Sequence, residues 1–220
     1  MASHGESKSL KRSEASKLLR APRKLFKYIS KPLPGPHRKS ESITLLSFLR
    51  DVLGIVENAK EAKYLLNNHI VKINGKMMKE PKANIGFSDI VEINKDVYLV
   101  WLDSFGKFIA KKIDFPLKFE KIVRIDKYKG GFNVYRMHDG FNLVDKLNSI
   151  NAKVNDTLVI NKADKKIQKV IPFSVGKRVI VFRGKKLGVQ GELISVGKDC
   201  KIKTENEIIN ALSENCLVYE

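Results

Sequence analysis

The sequence predicts an α+β protein that is mostly β and is divided into four parts. Apolar residues follow a helical spacing between about residues 42 and 67, and short runs of β-forming residues separated by turn residues follow after that. Basic residues are concentrated before residue 41 and between residues 106 and 173. We therefore expect a basic N-terminal arm over 1–41, a small α+β module over 42–105, a β-rich central domain over 106–173 and a small barrel over 174–220.

The composition is that of a globular chain with a large excess of positive charge. The 220 residues include 42 Lys and Arg against 24 Asp and Glu, and 43% are hydrophobic. That apolar fraction excludes a wholly disordered basic tail. No run approaches the roughly 18 apolar residues of a transmembrane helix, and residues 1–30 lack the apolar core of a signal peptide. Cys200 and Cys216 are too few for a disulfide framework or a four-ligand zinc site, so we expect reduced thiols in the cytosol.

The net charge of +18 predicts an anionic partner. Like charge opposes compaction and a polyanion relieves it, so nucleic acid is the leading candidate and an anionic membrane surface is the alternative. The excess is uneven: +9 over 1–40, −1 over 41–105, +8 over 106–173 and +2 over 174–220.

The N-terminal arm is predicted to be extended and to become ordered only against a partner. Pro32, Pro34 and Pro36 remove amide donors and disfavour helix in the residues before them. Short helical turns are compatible with residues 8–19. The basic residues and one histidine of this segment are candidate RNA-phosphate ligands: Lys8, Lys11, Arg12, Lys17, Arg20, Arg23, Lys24, Lys27, Lys31, His37, Arg38 and Lys39.

The first folded module is predicted to contain two helices followed by a tightly turned sheet. Apolar spacing indicates a helix over about 42–53, and Asn58 with Glu61 forms a capping box for a second helix over about 59–67. Strand-forming residues 70–73 then lead into Asn74-Gly75, the strongest short hairpin signal because a type I′ turn needs positive φ at both positions. Residues 85 and 90–93 supply further strands.

This run of about 50 residues resembles the S-four domain, a small RNA-binding module of ribosomal proteins, pseudouridine synthases, a tRNA synthetase and heat-shock proteins. The matching residues are the two helices, IVKINGK at 70–76 and GFSDIV at 86–91. In those families the second helix and the hairpin face RNA. The resemblance implies RNA contacts at Arg50, Lys60, Lys63, Lys72 and Lys76. The net charge of −1 implies a narrow RNA face, or acidic residues that face solvent or a protein neighbour.

The central domain is rich in β-forming runs separated by Gly, Asn, Asp and Lys, which predicts a small barrel or sandwich. Its turn lysines are equally compatible with simple solvation and with phosphate contact: Lys107, Lys111, Lys112, Lys127 and Lys129.

From residue 175 onward the sequence resembles the KOW motif, a strand–loop–strand signature that begins an SH3-like barrel. Residues 179–182 are apolar on both faces of a predicted strand, and Gly184, Gly188 and Gly191 follow, which allow positive φ or close backbone approach. In KOW proteins this loop commonly meets RNA or protein, which implies contacts at Arg183, Lys185 and Lys186.

The order of these parts resembles the S-four-e family, small-subunit ribosomal proteins of archaea and eukaryotes. The resemblance extends from about residue 9 to residue 219 and includes these runs: SLKR at 9–12, PGPHRK at 34–39, LSFLR at 46–50 and KVNDT at 153–157. It implies a cytoplasmic structural protein of the ribosome that binds small-subunit ribosomal RNA and neighbouring ribosomal proteins. No catalytic residue, cofactor, membrane or homo-oligomer is expected. The sequence lacks the family's arm tryptophan and the basic C-terminal tail of eukaryotic members, so we expect it to lack the contacts of that tail.

An enzymatic function is not predicted. The histidines at 4, 37, 69 and 138 have no metal-ligand spacing with Cys, Asp or Glu, and no phosphate-binding loop or nucleophile elbow is present. A pseudouridine synthase is the leading enzymatic alternative, but the 115 residues after 105 are too few for its catalytic domain and a barrel. The other alternative is a KOW-containing translation or transcription factor that binds RNA transiently.

Overall fold

The fold consists mainly of short antiparallel strands that surround a few helical turns. The computed structural model describes residues 10–21, 24, 27–146, 150–162, 166–205 and 207–219. Over those residues the strands form three five-stranded sheets and two two-stranded sheets, and each strand pair is antiparallel. None of the described helices is long and apolar enough to cross a membrane.

The described part of the arm packs against the protein itself. Strand β1 (Leu10–Lys11) pairs with β2 (Tyr28–Ile29), and a 3₁₀ turn, Arg12–Glu14, follows β1. Leu18 and Leu19 are 6% and 3% exposed and belong to the main hydrophobic core. The expectation that the arm is ordered only against a partner is therefore wrong for these residues, because burying the two leucines stabilises the docked arm by about 2 kcal/mol each.

The first module begins with a strand where a helix is predicted. Strand β3 (Ser42–Thr44) precedes α1 (Leu45–Ser47), which continues as a π-helical turn over Phe48–Val52. The Thr44 side chain caps α1 by accepting a hydrogen bond of 3.1 Å from the Ser47 amide. The predicted helix over 42–53 thus starts three residues late, because residues 42–44 pair with a strand distant in sequence.

The second helix, α2 (Ala59–Asn67), confirms the predicted one, and the sheet follows it. The strands after α2 are β4 (Val71–Ile73), β5 (Lys76–Met77), β6 (Asn84–Gly86), β7 (Ile90–Ile93), β8 (Asp96–Leu102) and β9 (Phe108–Ile113). Five of them form one sheet in the order β5-β4-β7-β8-β9, while β6 pairs with β3 in a separate two-stranded sheet. Since β9 pairs with β8, this sheet continues past the predicted boundary at residue 105, and we propose that the first module ends after Ile113.

The central sheet has the order β12-β11-β10-β13-β14. Its strands are β10 (Leu117–Lys127), β11 (Asn133–Met137), β12 (Asn142–Asp145), β13 (Thr157–Asn161) and β14 (Lys166–Ile171). Ile122, Tyr135 and Leu158 lie in its own small core, and Val159 and Ile171 pack into the core of the next sheet.

The C-terminal sheet has the order β18-β17-β16-β15-β19. Its strands are β15 (Arg178–Val181), β16 (Gln190–Ser195), β17 (Asp199–Lys203), β18 (Ile208–Leu212) and β19 (Cys216–Val218). Residues 179–182 are all buried, which confirms that both faces of the predicted strand are covered. Ile180 and Phe182 belong to the main core with the first module, whereas Val179 and Val181 pack within the C-terminal sheet. Alternate side chains of this segment therefore join the two modules.

Candidate nucleic-acid interface

Helix α2 presents two of the predicted RNA-binding lysines. The Asn58 side chain caps the helix by accepting from the amides of Lys60 at 2.9 Å and Glu61 at 3.0 Å. The Glu61 side chain reaches back and accepts from the amide of Glu57, the residue before the cap. Ala62 and Leu66 are fully buried, while Lys60 and Lys63 are exposed on the opposite side. The amphipathic spacing thus leaves one face of α2 open to an external anion.

The hairpin after α2 adds further basic groups. Asn74 and Gly75 have φ angles of 50° and 78°, as a type I′ turn requires. Lys76 is exposed at this turn and Lys72 is half-buried. Arg50, also half-buried, donates two hydrogen bonds to Asp51, at 2.8 and 3.0 Å, so part of its charge is neutralised inside the protein.

The arm exposes most of its predicted phosphate ligands. Lys31 is half-buried, and Lys8 and Arg23 lie outside the described residues. The exposed members are Lys11, Lys17, Arg20, Lys24, Lys27, Arg38 and Lys39.

Two predicted ligands of the arm instead have partners inside the protein. Arg12 is 7% exposed and donates to the Ala21 carbonyl at 2.5 Å. The His37 side chain is 6% exposed, and its Nε2 lies 2.7 Å from Oδ2 of Asp89. The His37 contact holds the arm on the first module, whereas the Arg12 contact lies within the arm. Both side chains are buried in the free protein, so direct RNA contact at Arg12 and His37 stays a prediction. Sequence alone did not distinguish them because burial is set by tertiary contacts.

Asp89 connects the arm to a buried ionic cluster in the central domain. Lys118 Nζ lies 3.0 Å from Asp89 Oδ1 and 3.4 Å from Glu120 Oε1, and it also donates to Asp139. Lys162 Nζ lies 2.5 Å from Glu120 Oε1. The cluster therefore fixes the arm, the first module and the central domain relative to one another.

The pKa values of this cluster favour its charged state at several positions. Burial alone would raise the pKa of Asp89, but His37 and Lys118 hold it well below its usual range. Burial would lower the pKa of His37, whereas Asp89 raises it above its ordinary value. Burial likewise opposes charge on Lys118, yet the surrounding carboxylates raise its pKa. Burial raises the pKa of Glu120.

The KOW loop between β15 and β16 has one basic group that is paired within the protein and two that are exposed. Arg183 Nε donates to Glu41 Oε2 at 2.9 Å, but its side chain is still 26% exposed, so RNA contact at Arg183 stays a prediction. Lys185 and Lys186 are exposed. Gly184 has a φ of 92°, so a left-handed conformation makes the sharp turn after the strand possible.

Three of the predicted turn lysines of the middle region contact other residues of the protein. Lys107 Nζ donates to the Lys17 carbonyl, Lys111 Nζ lies 5.0 Å from the Trp101 ring centroid, and Lys112 Nζ lies 2.6 Å from Asp96. Lys127 and Lys129 are exposed at the β10–β11 turn. Lys111 and Lys112 are also exposed, so phosphate contact stays a prediction for these four lysines.

A second buried polar group joins the central domain to the C-terminal sheet. Lys121 Nζ donates to the carbonyl oxygens of Ser213 and Cys216, the latter at 2.7 Å. Because it is buried, the pKa of Lys121 falls to about 8. The sulfurs of Cys200 and Cys216 are 3.5 Å apart as buried free thiols. Among the described residues no group of three His, Cys, Asp or Glu side chains is arranged to hold a metal ion.

Phe105 is an exposed group that the sequence reasoning did not select as a site residue. It lies in the turn between β8 and β9 and is 85% exposed. A large aromatic residue next to glycine in a predicted turn was the available signal.

Comparison with known proteins gives concordant matches over most of the chain. A family model described as "S4 domain" matches residues 37–101. The small ribosomal subunit protein eS4 of Methanocaldococcus jannaschii is 34% identical over an alignment of 205 positions that covers 89% of this chain and 84% of that protein. The eS4 of Nanoarchaeum equitans is 37% identical over 184 residues, covering 80% of this chain and 77% of its own length. The crystal structure of the 30S ribosomal protein S4e from Thermoplasma acidophilum superposes with a TM-score of 0.68 at 26% identity, covering 81% of this chain and 94% of that one.

Proposed function

The chain belongs to the eS4 family of small ribosomal subunit proteins, and from this we propose that it is a structural constituent of that subunit which binds ribosomal RNA through phosphate and shape contacts. It is a structural protein rather than an enzyme, as its family is. It works in the cytoplasm, on the ribosome, next to other ribosomal proteins. It acts as a single copy and without a membrane partner.

The observation that carries this proposal is that exposed cations lie on several modules whose relative positions are set by buried contacts. A binder with fixed modules orders few groups on binding, so little of the electrostatic attraction is lost to conformational entropy. Lysine and arginine on such a surface replace counterions along the RNA phosphates, and the modules recognise the shape of the folded RNA.

The RNA-binding role is assigned to the basic residues whose side chains reach the surface. Arg12 and His37 are buried in the free protein and are left out of this set. Arg183, like Arg50, is paired with a carboxylate and partly exposed, so it is assigned as a partly exposed member. Lys8 and Arg23 stay predictions from the sequence. Arg50, Lys31 and Lys72 are assigned as partly exposed members. The exposed set is Lys11, Lys17, Arg20, Lys24, Lys27, Arg38, Lys39, Lys60, Lys63, Lys76, Lys185 and Lys186.

Sedimentation through a sucrose gradient tests the proposal. The tagged protein should travel with small subunits in moderate salt and leave them only at high salt, because several phosphate contacts must be broken together. Recovery only in free or polymerase-bound fractions would contradict a structural role and favour a transient KOW-containing factor.

A double variant tests whether the first module contributes to RNA binding. Replacing Lys60 and Lys63 with Gln should weaken binding to small-subunit ribosomal RNA and reduce its salt dependence, because two phosphate ligands are removed. The matched control replaces Lys201 and Lys203, which are exposed on β17 of the C-terminal sheet, and should change neither. If the two double variants weaken RNA binding equally, α2 is not part of the RNA interface.

A further inference from the structure

Phe105 lies at the tip of the β8–β9 turn with 85% of its surface exposed. Isolated exposed aromatic residues are common on soluble proteins, so exposure alone indicates no function. Its setting is what distinguishes this side chain.

The turn that holds Phe105 is rigid. The Asp103 carboxylate accepts hydrogen bonds from the amides of Phe105 at 2.9 Å and Lys107 at 2.7 Å. The carbonyl of Asp103 accepts from the Gly106 amide at 3.0 Å, and the amide of Asp103 donates to the Lys107 carbonyl at 2.9 Å. One oxygen of the Asp103 carboxylate therefore accepts both hydrogen bonds from the backbone of the turn. The backbone at Phe105 is thus held in place in the free protein.

The KOW loop packs directly against this turn. A Cβ on Gly188 would lie 2.2 Å from the Asp103 carbonyl oxygen, and one on Gly106 would lie 2.9 Å from a methyl carbon of Leu187. The backbones of the KOW loop and of the β8–β9 turn thus contact each other at positions where any residue larger than glycine would clash. Lys185 and Lys186, both exposed, precede Leu187 in the same loop. An exposed aromatic ring and two exposed cations therefore share one preorganised corner of the molecule.

We propose that Phe105 is a stacking platform for an unpaired base of ribosomal RNA, with Lys185 and Lys186 binding the adjacent phosphates. This inference rests on the proposed ribosomal function. Proteins that bind single-stranded RNA combine aromatic rings, on which bases stack, with cations that follow the backbone. The positive charge of the neighbouring loop favours RNA over an apolar protein surface as the occupant, because a protein partner would have to desolvate both ammonium groups.

The test uses the full-length protein and two oligomers of equal charge. One is a twelve-nucleotide oligoadenylate with 2-aminopurine at its centre, and the other is a twelve-unit abasic ribose phosphate. We expect the wild-type protein to bind the adenylate about tenfold more tightly than the abasic oligomer, because stacking contributes that much per base. Binding should quench the 2-aminopurine fluorescence.

Phe105→Ala should remove this base preference and the quenching while leaving the abasic affinity within about twofold, since phosphate contacts persist. Phe105→Trp should retain both. Phe115→Ala, at another exposed phenylalanine (68%) in the next turn, is the matched control and should behave as the wild type. Replacing Lys185 and Lys186 with Gln should weaken binding of both oligomers equally.

Equal affinity of the wild type for the two oligomers, or an unchanged base preference in Phe105→Ala, would overturn the proposal. Co-sedimentation of the same proteins with small subunits separates the two hypotheses. If the wild type fails to co-sediment, the ribosomal function itself is wrong. If it co-sediments and Phe105→Ala alone loses subunit binding without changing base preference, Phe105 contacts a protein neighbour instead, and the stacking assignment is also wrong.

Discussion

At the level of single residues, Asp89 is the point where the arm, the hairpin and the central domain meet. Its carboxylate accepts from the amide of Gly86 and from the side chain of Asn74, and it pairs with His37 and Lys118. The Asn74 side chain also accepts from the Ile90 amide at 3.0 Å. The same asparagine that makes the hairpin turn thus orients the carboxylate of the cluster.

Asp89→Asn should strongly destabilise the protein. It leaves Lys118, 1% exposed, with one fewer carboxylate, and breaking a buried ion pair costs about 3–5 kcal/mol. Urea denaturation measures the loss. Asp96→Asn is the control, because the pair of Asp96 with Lys112 is exposed and solvent screens it, so we expect little change in stability. Comparable losses in both variants would show that Asp89 is not a structural centre.

Acid pH should destabilise the protein through His138. Burial lowers the pKa of His138 to about 3, whereas an unfolded histidine titrates near a pKa of about 6.5. Its contribution is therefore complete above about pH 6.5 and is lost as the pH falls toward about 3, with a slope approaching about 1.4 kcal/mol per pH unit. His37 has the opposite sign: its raised pKa adds stability below about pH 6.5, which disappears as the pH rises through the folded value.

His138→Asn tests this linkage because it removes the titration and keeps a hydrogen-bond acceptor for the Lys121 amide, which donates to His138 Nδ1 at 3.2 Å in the wild type. The free energy of unfolding of the variant should fall less steeply than that of the wild type between about pH 6.5 and about pH 4.5. Parallel pH profiles would refute the assignment.

At the level of structural elements, the β8–β9 turn and the KOW loop are joined by two glycines with positive φ, Gly106 at 69° and Gly188 at 87°. The absence of a side chain at both glycines lets the two backbones approach closely. Arg183, in the same loop, pairs with Glu41 of the arm. The loop that resembles an RNA-binding motif therefore also holds the C-terminal sheet against the arm and the first module.

Gly188→Ala should destabilise the protein by more than the conformational cost of a left-handed alanine. That cost is about 1–2 kcal/mol, and the clash with Asp103 adds about 1–3 kcal/mol. Gly131→Ala is the matched control, since Gly131 has a φ of 80° and a Cβ at that position would have open space within 4 Å. Measured by thermal and urea unfolding, the losses in stability of the two variants should differ by the contribution of the clash alone. Equal losses in stability would mean that the KOW loop can move away from Asp103.

At the level of the whole molecule, the charge and the recognisable motif lie in different places. The segment 41–105, which contains most of the S4 domain match, has a net charge of −1, whereas the segments 1–40 and 106–173 supply +17 of the +18. Lys118, Lys121 and Lys162 are directed inward, but the carboxylates of the central segment are already counted in its net charge of +8. We therefore expect the arm and the central domain to share the long-range attraction for RNA.

Neutralising the arm should flatten the salt dependence of RNA binding. Deletion is unsuitable because Leu18 and Leu19 belong to the core; a variant with Lys17, Arg20, Lys24 and Lys27 replaced by Gln keeps them. The slope of log affinity against log salt should decrease by up to about 0.7–0.9 for each phosphate that is no longer bound. The control replaces Lys95, Lys198, Lys201 and Lys203, exposed residues of other elements. If the slope is unchanged in the arm variant, the phosphate contacts are made by residues outside the arm.

Features that depend on local chemistry and periodicity were predictable from the amino-acid sequence. Asn58 with Glu61 predicted the start of α2, Asn74-Gly75 predicted the hairpin, and the apolar run 179–182 predicted a strand covered on both faces. The order of the parts also indicated the family. In each case the deciding interactions lie within a few residues, or recur in a pattern that the chain displays directly.

Tertiary contacts were needed to establish which basic residues face outward and where the modules join. Arg12 and His37 resemble their neighbours in sequence, yet contacts with Ala21 and Asp89 bury them, and Arg183 is paired with Glu41. Likewise, residues 42–44 form a strand because pairing with a distant strand, as between Ile43 and Ile85, competes with local helix formation. Such pairings join residues far apart along the chain. The burial of apolar side chains and the desolvation of polar groups decide whether the pairings are stable, and a local sequence pattern does not show which groups will be buried.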